Sequence, residues 1–260
     1  MLRRLVPLFR KTLSHGIVIA AQSKIDAERF RSIGANPERT HITGNIKFDF
    51  QPPPGIEAQG LRWREQNAPG RPIWVAGSTH EGEEAIVLDA HRRVLARFPD
   101  TLLVLVPRHP QRFDVVRDLL AKRNDRSANR SSRTAISRAT SVLLGDTMGE
   151  LMMFYAASDV ALVAGSLVPI GGHNLLEPAS VGRPVLTGPH NFNSEEIAQL
   201  LFDAGAAFIV KDTEQLANAI LGLLETAELR RVMGAAGKAV LDANRGALDR
   251  LLTLVDPLLE

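Results

Sequence analysis

Gly165-Ser166-Leu167-Val168-Pro169-Ile170-Gly171-Gly172-His173-Asn174-Leu175-Leu176-Glu177-Pro178-Ala179 is the stretch whose reading decides the fold. An apolar, strand-like run at 159–164 empties into it, and a helical pattern follows. Two adjacent glycines let a backbone approach a ligand with no Cβ in the way, and Asn174 is placed to cap the helix that Leu175 opens. The N–H groups of a helix start, carrying roughly half a positive charge, suit a phosphate or a carboxylate. Glu177, one turn further on, is placed to accept hydrogen bonds from ribose hydroxyls. The same residues also read as an ordinary strand-to-helix turn, with glycine for geometry and asparagine for capping, so the surrounding chain has to decide.

Outward from that stretch, strands and helices alternate. Short continuous apolar runs at 73–76, 102–106, 141–144, 184–187 and 207–210 are separated by helical patterns at 82–98, 111–123 and 148–157 and after Ser194. Strands that are apolar on both faces belong to a sheet covered by helices on both sides, so the fold class is α/β, a Rossmann-like doubly wound parallel sheet. Helical patterns at 213–224, 227–241 and 245–259 close the chain. Before the regular part, 17–21 reads as a strand, Ser23 caps a helix that stops at Gly34, and 40–43 reads as a second strand. Pro52-Pro53-Pro54-Gly55 is a stiff connection, which puts a domain boundary near residue 50 and a second domain over 51–260.

Composition removes several classes of function. Hydrophobic residues make up 45 % and charged residues 23 %, the balance of a globular chain. With no cysteine there is no disulfide, thiolate metal site or cysteine nucleophile. A formal charge of +2, from 31 Lys and Arg against 29 Asp and Glu, gives no support to nucleic-acid binding, and 5 % aromatics is poor for base stacking. The N-terminal Met1-Leu2-Arg3-Arg4-Leu5-Val6-Pro7-Leu8-Phe9-Arg10-Lys11 is too interrupted by charge to span a membrane; it reads as a basic amphipathic segment for an anionic membrane surface or as a solvated helix end. Residues 122–133, polar and basic with no apolar period, read as a solvated loop.

In a doubly wound sheet, ligands bind beyond the carboxyl ends of the strands. The unusual residues fall there: Ser78-Thr79-His80-Glu81-Gly82-Glu83 after the first regular strand, Pro107-Arg108-His109-Pro110 after the second, Asp146-Thr147-Met148-Gly149-Glu150 after the third, the opening stretch after the fourth and Gly188-Pro189-His190-Asn191 after the fifth. Five strand ends are therefore expected to face one crevice. Ser78 with Glu81, and Thr147 with Glu150, have capping-box spacing and are read as helix caps that leave N–H donors for an anion. Arg108, held between prolines, suits a phosphate or carboxylate. His80, His109 and His173 lack the spacing of a helical zinc motif, so no metal is expected. No P-loop and no nucleophile with a nearby base is present, which favours group transfer from a nucleotide, with the departing phosphate stabilised by preorganised charge.

These blocks, together with Gly44-Asn45-Ile46-Lys47-Phe48-Asp49 and Gly145-Asp146-Thr147-Met148-Gly149-Glu150-Leu151, resemble the 3-deoxy-D-manno-octulosonic acid (Kdo) transferases in order and over most of the chain. The resemblance implies the two-domain GT-B fold and transfer of Kdo from CMP-Kdo to a lipid A precursor by inversion, with no metal and no cofactor. It implies that Arg108 and His109 hold the CMP phosphate, that Met148, Gly149 and Glu150 with Gly171, Gly172, His173 and Asn174 frame phosphate and sugar, and that Glu177 binds ribose. Lys47, Ser78, Thr79, His80 and Glu81 would face the Kdo moiety. The family's N-terminal domain, which takes the lipid acceptor and supplies the general base, is not contained in these residues, and 1–50 resembles only its tail and the linker. The implied place is the cytoplasmic side of the bacterial inner membrane, in peripheral contact with it. Within the fold class a UDP-sugar enzyme stays open, as does an inert nucleotide-binding scaffold outside it.

Overall fold

A computed structural model describes residues 6–13, 16–132 and 136–259 of the chain. They fall into two compact units, residues 1–50 with 241–260 and residues 51–240. The closing residues thus group with the first fifty, whereas the sequence assigns them to 51–260.

The first unit holds α1 (Val6–Leu13), β1 (Ile19–Ala21), α2 (Lys24–Ser32) and β2 (Thr40–Ile42), with β1 and β2 paired in parallel. Ser23 caps α2 as expected, its hydroxyl accepting from the Asp26 N–H at 3.1 Å. The segment 1–11 lies partly outside the described residues; its remainder is in α1. A 3-10 turn, Ile46–Asp49, ends this stretch. Asp49 accepts from the N–H groups of Gly246 and Leu248, each at 2.6 Å, and so caps the closing helix of the unit.

The second unit opens with α3 (Ile56–Asn67), which the sequence reading passed over. Its buried face is only Ile56, Gly60 and Trp63, so one of three apolar positions has no side chain and the helical period barely registers. Gly60 is what lets α3 approach α6 (Leu151–Ala157), because a Cβ there would lie 2.6 Å from that of Ala156. Beside it Trp63 meets Phe154 edge to face, centroids 5.3 Å apart.

From there the alternation is as expected apart from β5: β3 (Ile73–Thr79), α4 (Glu83–Arg97), β4 (Leu102–Pro107), α5 (Phe113–Lys122), β5 (Ser127–Asn129), β6 (Val142–Leu144), α6, β7 (Val160–Val163), α7 (Leu176–Ser180), β8 (Val185–Thr187), α8 (Glu195–Asp203), β9 (Ala207–Ile209) and α9 (Thr213–Glu225). α10 (Ala227–Ala243) leads out of the unit, and α11 (Ala247–Val255) closes the chain. Every strand pairing is parallel and the order is β5-β6-β4-β3-β7-β8-β9. β5 was not expected: residues 122–133 read as a loop because an edge strand needs no apolar face, and Ser127–Asn129 pairs with β6 through backbone alone. Both central strands are buried at every residue. One core face joins Trp74, Leu103, Leu105 and Leu162 to Val87 and Leu88 of α4 and to Leu216 and Ile220 of α9. The chain leaves β3 toward β4 and β6 and returns on the other side at β7, so the topological switch lies between β3 and β7, where a crevice opens at their carboxyl ends.

Candidate functional site

At that switch point lies an open cavity of about 350 Å³, lined from β3 by Ser78, from β4 by Val106, Pro107 and Arg108, from the loop after β6 by Thr147, Met148 and Gly149, and from the loop after β7 by His173, Asn174 and Glu177. Four of the five expected strand ends meet here. The fifth does not: residues 189–192 line a separate pocket with α8 and β9, and their backbone instead braces the loop after β7, His190 N–H donating to Ser166 O at 3.0 Å.

Ser78 is no helix cap. It stands in β3 with φ +60, at the point where the register with β4 shifts, and α4 starts behind Gly82. A non-glycine residue in the left-handed region is strained backbone, here at the rim of a cavity. Thr147 is likewise not a cap: its hydroxyl donates to the Glu150 carboxylate and α6 begins later, at Leu151. Arg108 is exposed, and its guanidinium enters no hydrogen bond or ion pair among the described residues; only its backbone N–H is used, donating to Thr79 O at 3.0 Å. It is a cation at the cavity wall with no ion-pair partner within bonding distance among the described residues.

The floor was missed by sequence reading. Tyr155, 1 % exposed, lines the cavity from α6 and reaches under β3 at Gly77, where a Cβ would overlap its Oη. No hydrogen bond among the described residues engages that hydroxyl. Burial, with the Glu177 charge adding to it, pushes the phenol well above its ordinary value, so it stays protonated. The available signal was a glycine inside a central strand, which marks a close approach.

Three imidazoles gather beside Arg108. His80 Nε2 and His173 Nε2 are 2.8 Å apart with nearly parallel rings, and His109 meets His80 edge to face at 5.3 Å between centroids. A nitrogen-to-nitrogen hydrogen bond carries one proton, so the two rings hold opposite tautomers. Burial, then the charges of His80, Arg108 and His109, lowers His173 to about 4. His80 is lowered mainly by burial, against the pull of Glu83. Both are therefore neutral near pH 7. Glu177 is raised by burial, opposed by the Asn174 amide at 3.5 Å and by Arg108.

The opening stretch departs from its expected role as an anion-binding helix start. α7 is a single short turn, and most of the N–H groups before it are taken. Gly165 and Ser166 donate to Glu83 at 2.8 and 3.1 Å, Leu167 donates to Glu83 at 3.0 Å, Gly172 donates to Gly165 O at 2.8 Å, and Leu176 donates to the Asn174 side chain at 3.1 Å. Asn174 thus caps as expected, while a carboxylate of the protein itself takes the N–H groups of Gly165, Ser166 and Leu167. Gly171 and Gly172 adopt φ of +109 and +76 and serve the loop's turn rather than the cavity wall.

Other expected site residues lie outside the cavity lining. Thr79 is fully buried and its hydroxyl donates to Glu84 at 3.2 Å, because the bulge at Ser78 turns it into the core. Glu81 is 93 % exposed and pairs loosely with Arg112 at 3.6 Å. Glu150 is held from behind by Arg130, at 2.7 Å. Lys47 belongs to the first unit, in the turn Ile46–Asp49. Among the described residues no group of three or more His, Cys, Asp or Glu side chains could hold a metal ion, and no helix is long and apolar enough to cross a membrane.

Chemically the crevice offers one unpaired guanidinium, a neutral imidazole pair, and a half-buried carboxyl beside a free phenol. That set suits a ligand with a single compact anionic group and neighbouring hydroxyls.

Comparisons with known proteins bear on the family and the fold. A family model described as 3-deoxy-D-manno-octulosonic-acid transferase matches residues 1–50, and one described as glycosyl transferases group 1 matches residues 73–240. The 3-deoxy-D-manno-octulosonic acid transferase of Haemophilus influenzae is 46 % identical over 248 residues, 94 % of this chain and 57 % of that protein. The enzyme of the same description from Bordetella pertussis is 38 % identical over 92 % of this chain and 56 % of its own length. The chain therefore spans about half the length of the curated relatives it matches. Among solved structures, the C-terminal CMP-Kdo binding domain of WaaA from Acinetobacter baumannii is 34 % identical with a TM-score of 0.69, over 72 % of this chain and 98 % of that domain. The glycosyltransferase WaaG, 18 % identical with a TM-score of 0.52, shares the fold.

Proposed function

The chain belongs to the Kdo transferase family, and from that premise we propose that its β3–β7 crevice binds CMP-Kdo, the donor for Kdo transfer to a lipid A precursor in lipopolysaccharide synthesis. The observation that carries the reading is Arg108, a guanidinium without a protein partner on the wall of a cavity whose other groups are neutral or hydroxyl-binding. A nucleoside monophosphate ester has one phosphate for that one cation. Arg108 holds the phosphate, aided by His109; the backbone at Met148 and Gly149 borders it; Glu177 and Tyr155 take ribose hydroxyls; and Ser78 with the His80–His173 pair faces the Kdo moiety.

Departure of CMP develops negative charge on the phosphate oxygen, and the Arg108 guanidinium at the cavity wall stabilises that charge. Inversion by direct displacement asks nothing more of this side of the reaction. The resemblance assigns the acceptor and the general base to the family's N-terminal domain, and the role proposed for these residues is to bind donor without transferring Kdo on their own. In the cell it would act at the cytoplasmic face of the inner membrane as a peripheral protein.

Titrating CMP into isotope-labelled chain and following amide shifts tests the assignment. Saturable shifts concentrated at Arg108, Met148–Gly149 and His173–Glu177 are expected; shifts confined elsewhere, or larger ones with UDP, would replace it with a different donor. Kdo transfer to lipid A precursor by this chain alone would overturn the claim that it only binds.

A further inference from the structure

The least exposed ionisable group at the crevice is one that the proposed chemistry does not use. Glu83, 0 % exposed at the start of α4, receives four backbone N–H groups from two different loops: His80 at 2.9 Å, and Gly165, Ser166 and Leu167 at 2.8, 3.1 and 3.0 Å. Successive N–H groups converging in this way form an anion nest, and a carboxylate accepting that many charge-assisted bonds is held in one orientation. The two hydrogen-bonded imidazoles, His80 and His173, sit on the bound backbone. His80 is itself one of the donors. Gly165 lies directly under His173, so closely that a Cβ would be 2.8 Å from His173 Cδ2.

We propose that Glu83 is the positioning residue of the crevice: by tying the turn after β3 to the loop after β7, it sets the His80–His173 hydrogen bond. A protein carboxylate also occupies the place where a second phosphate would find N–H donors, which leaves Arg108 as the crevice's anion site. This deepens the donor-site reading and rests on it for what the ring pair faces, but the tie can be measured without ligand.

Histidine-selective 15N labelling reads it directly. The charged and titratable groups facing His80 are His173, Glu83, His109, Arg108 and Arg112, and those facing His173 are His80, Arg108 and His109. In the native chain the two rings should show complementary neutral tautomers, with His173 titrating at about 4. In Glu83→Gln the amide accepts at one atom only. The tautomers should then average, while buried His91, bonded to Trp74 and Ser141, stays as it was. In Glu83→Ala, added acetate should restore the paired signals. Unchanged His80 and His173 signals in Glu83→Gln would overturn the proposal. Should the variants disturb His91 as well, hydrogen exchange on the native chain decides: the amides of His80, Gly165, Ser166 and Leu167 must be protected together, and independent, rapid exchange of the four would overturn it. A chain that passes these tests yet ignores CMP would refute the donor reading and leave the tie standing.

Discussion

Arg130 grips Glu150 through both carboxylate oxygens, its Nε at 3.2 and 3.0 Å and its second nitrogen at 2.7 Å. The arginine follows edge strand β5 and the glutamate ends the loop that carries Met148 and Gly149 to the cavity, so a basic segment that reads as solvated charge holds the donor-side loop from behind. Ser131 adds its N–H and hydroxyl to Asp146 at 2.8 and 2.6 Å. Burial acts against the Glu150 charge, but the Arg130 and Thr147 hydrogen bonds outweigh it and its carboxyl lies below the ordinary value. A depressed carboxyl stabilises the fold above its ordinary range and loses that contribution as pH falls through and below it. Arg130→Ala should therefore cost about 1 kcal/mol or less at pH 7, the pair being partly exposed, and should flatten the stability profile below about pH 4.5. CMP affinity should fall as well. Urea midpoints across pH and a CMP titration check both.

Gly77 and Tyr155 make a second test. Gly77→Ala puts a methyl group where Tyr155 Oη lies and should destabilise the chain by about 1–3 kcal/mol through overpacking. Tyr155→Phe removes an oxygen that bonds nothing among the described residues, so its thermal midpoint should hold. Its CMP affinity should drop, and that of 2′,3′-dideoxy-CMP should not. Combined with Gly77→Ala, the same change should recover part of the lost stability, which calorimetric melting of the single and double variants reads.

His91 predicts a pH dependence away from the crevice. It accepts from Trp74 Nε1 at 3.1 Å and bonds Ser141 O at 2.9 Å, and burial lowers it to about 4. A histidine neutral in the fold but protonated when unfolded costs stability as pH falls below about 6.5, down to its folded value. Native stability should decline over that window, by up to roughly 3 kcal/mol from this group. His91→Gln, which keeps an acceptor and a donor, should lack that part of the slope in urea unfolding at pH 4.5 and 7.

The legible parts of the sequence were those in which burial on both faces forces a continuous apolar run. β3 and β4 read clearly because no residue in them meets water. α3 did not, since a glycine takes the place of one of its three buried side chains, and β5 did not, since an edge strand is defined by its backbone partner. Arg108 stood out in the sequence because prolines flank it, and the Pro107–Arg108 corner does line the cavity. The tie from Glu83 to residues 165–167 was not legible: Glu83 lies 82 residues from Gly165, and no spacing rule connects them. Ser78 and Thr147 show the reverse error, since each matched a capping pattern and neither begins a helix.

The central claim is that Arg108 anchors a CMP donor, and calorimetric titration of the chain with CMP, with UMP and UDP as controls and Arg108→Ala in parallel, tests it most directly. The account predicts saturable CMP binding, weaker UMP and UDP binding, and at least a tenfold loss in the variant, as removal of a charge-assisted contact worth about 1.5–3 kcal/mol requires. Equal CMP affinity in Arg108→Ala and the native chain, or no CMP binding to a folded native chain, would contradict it.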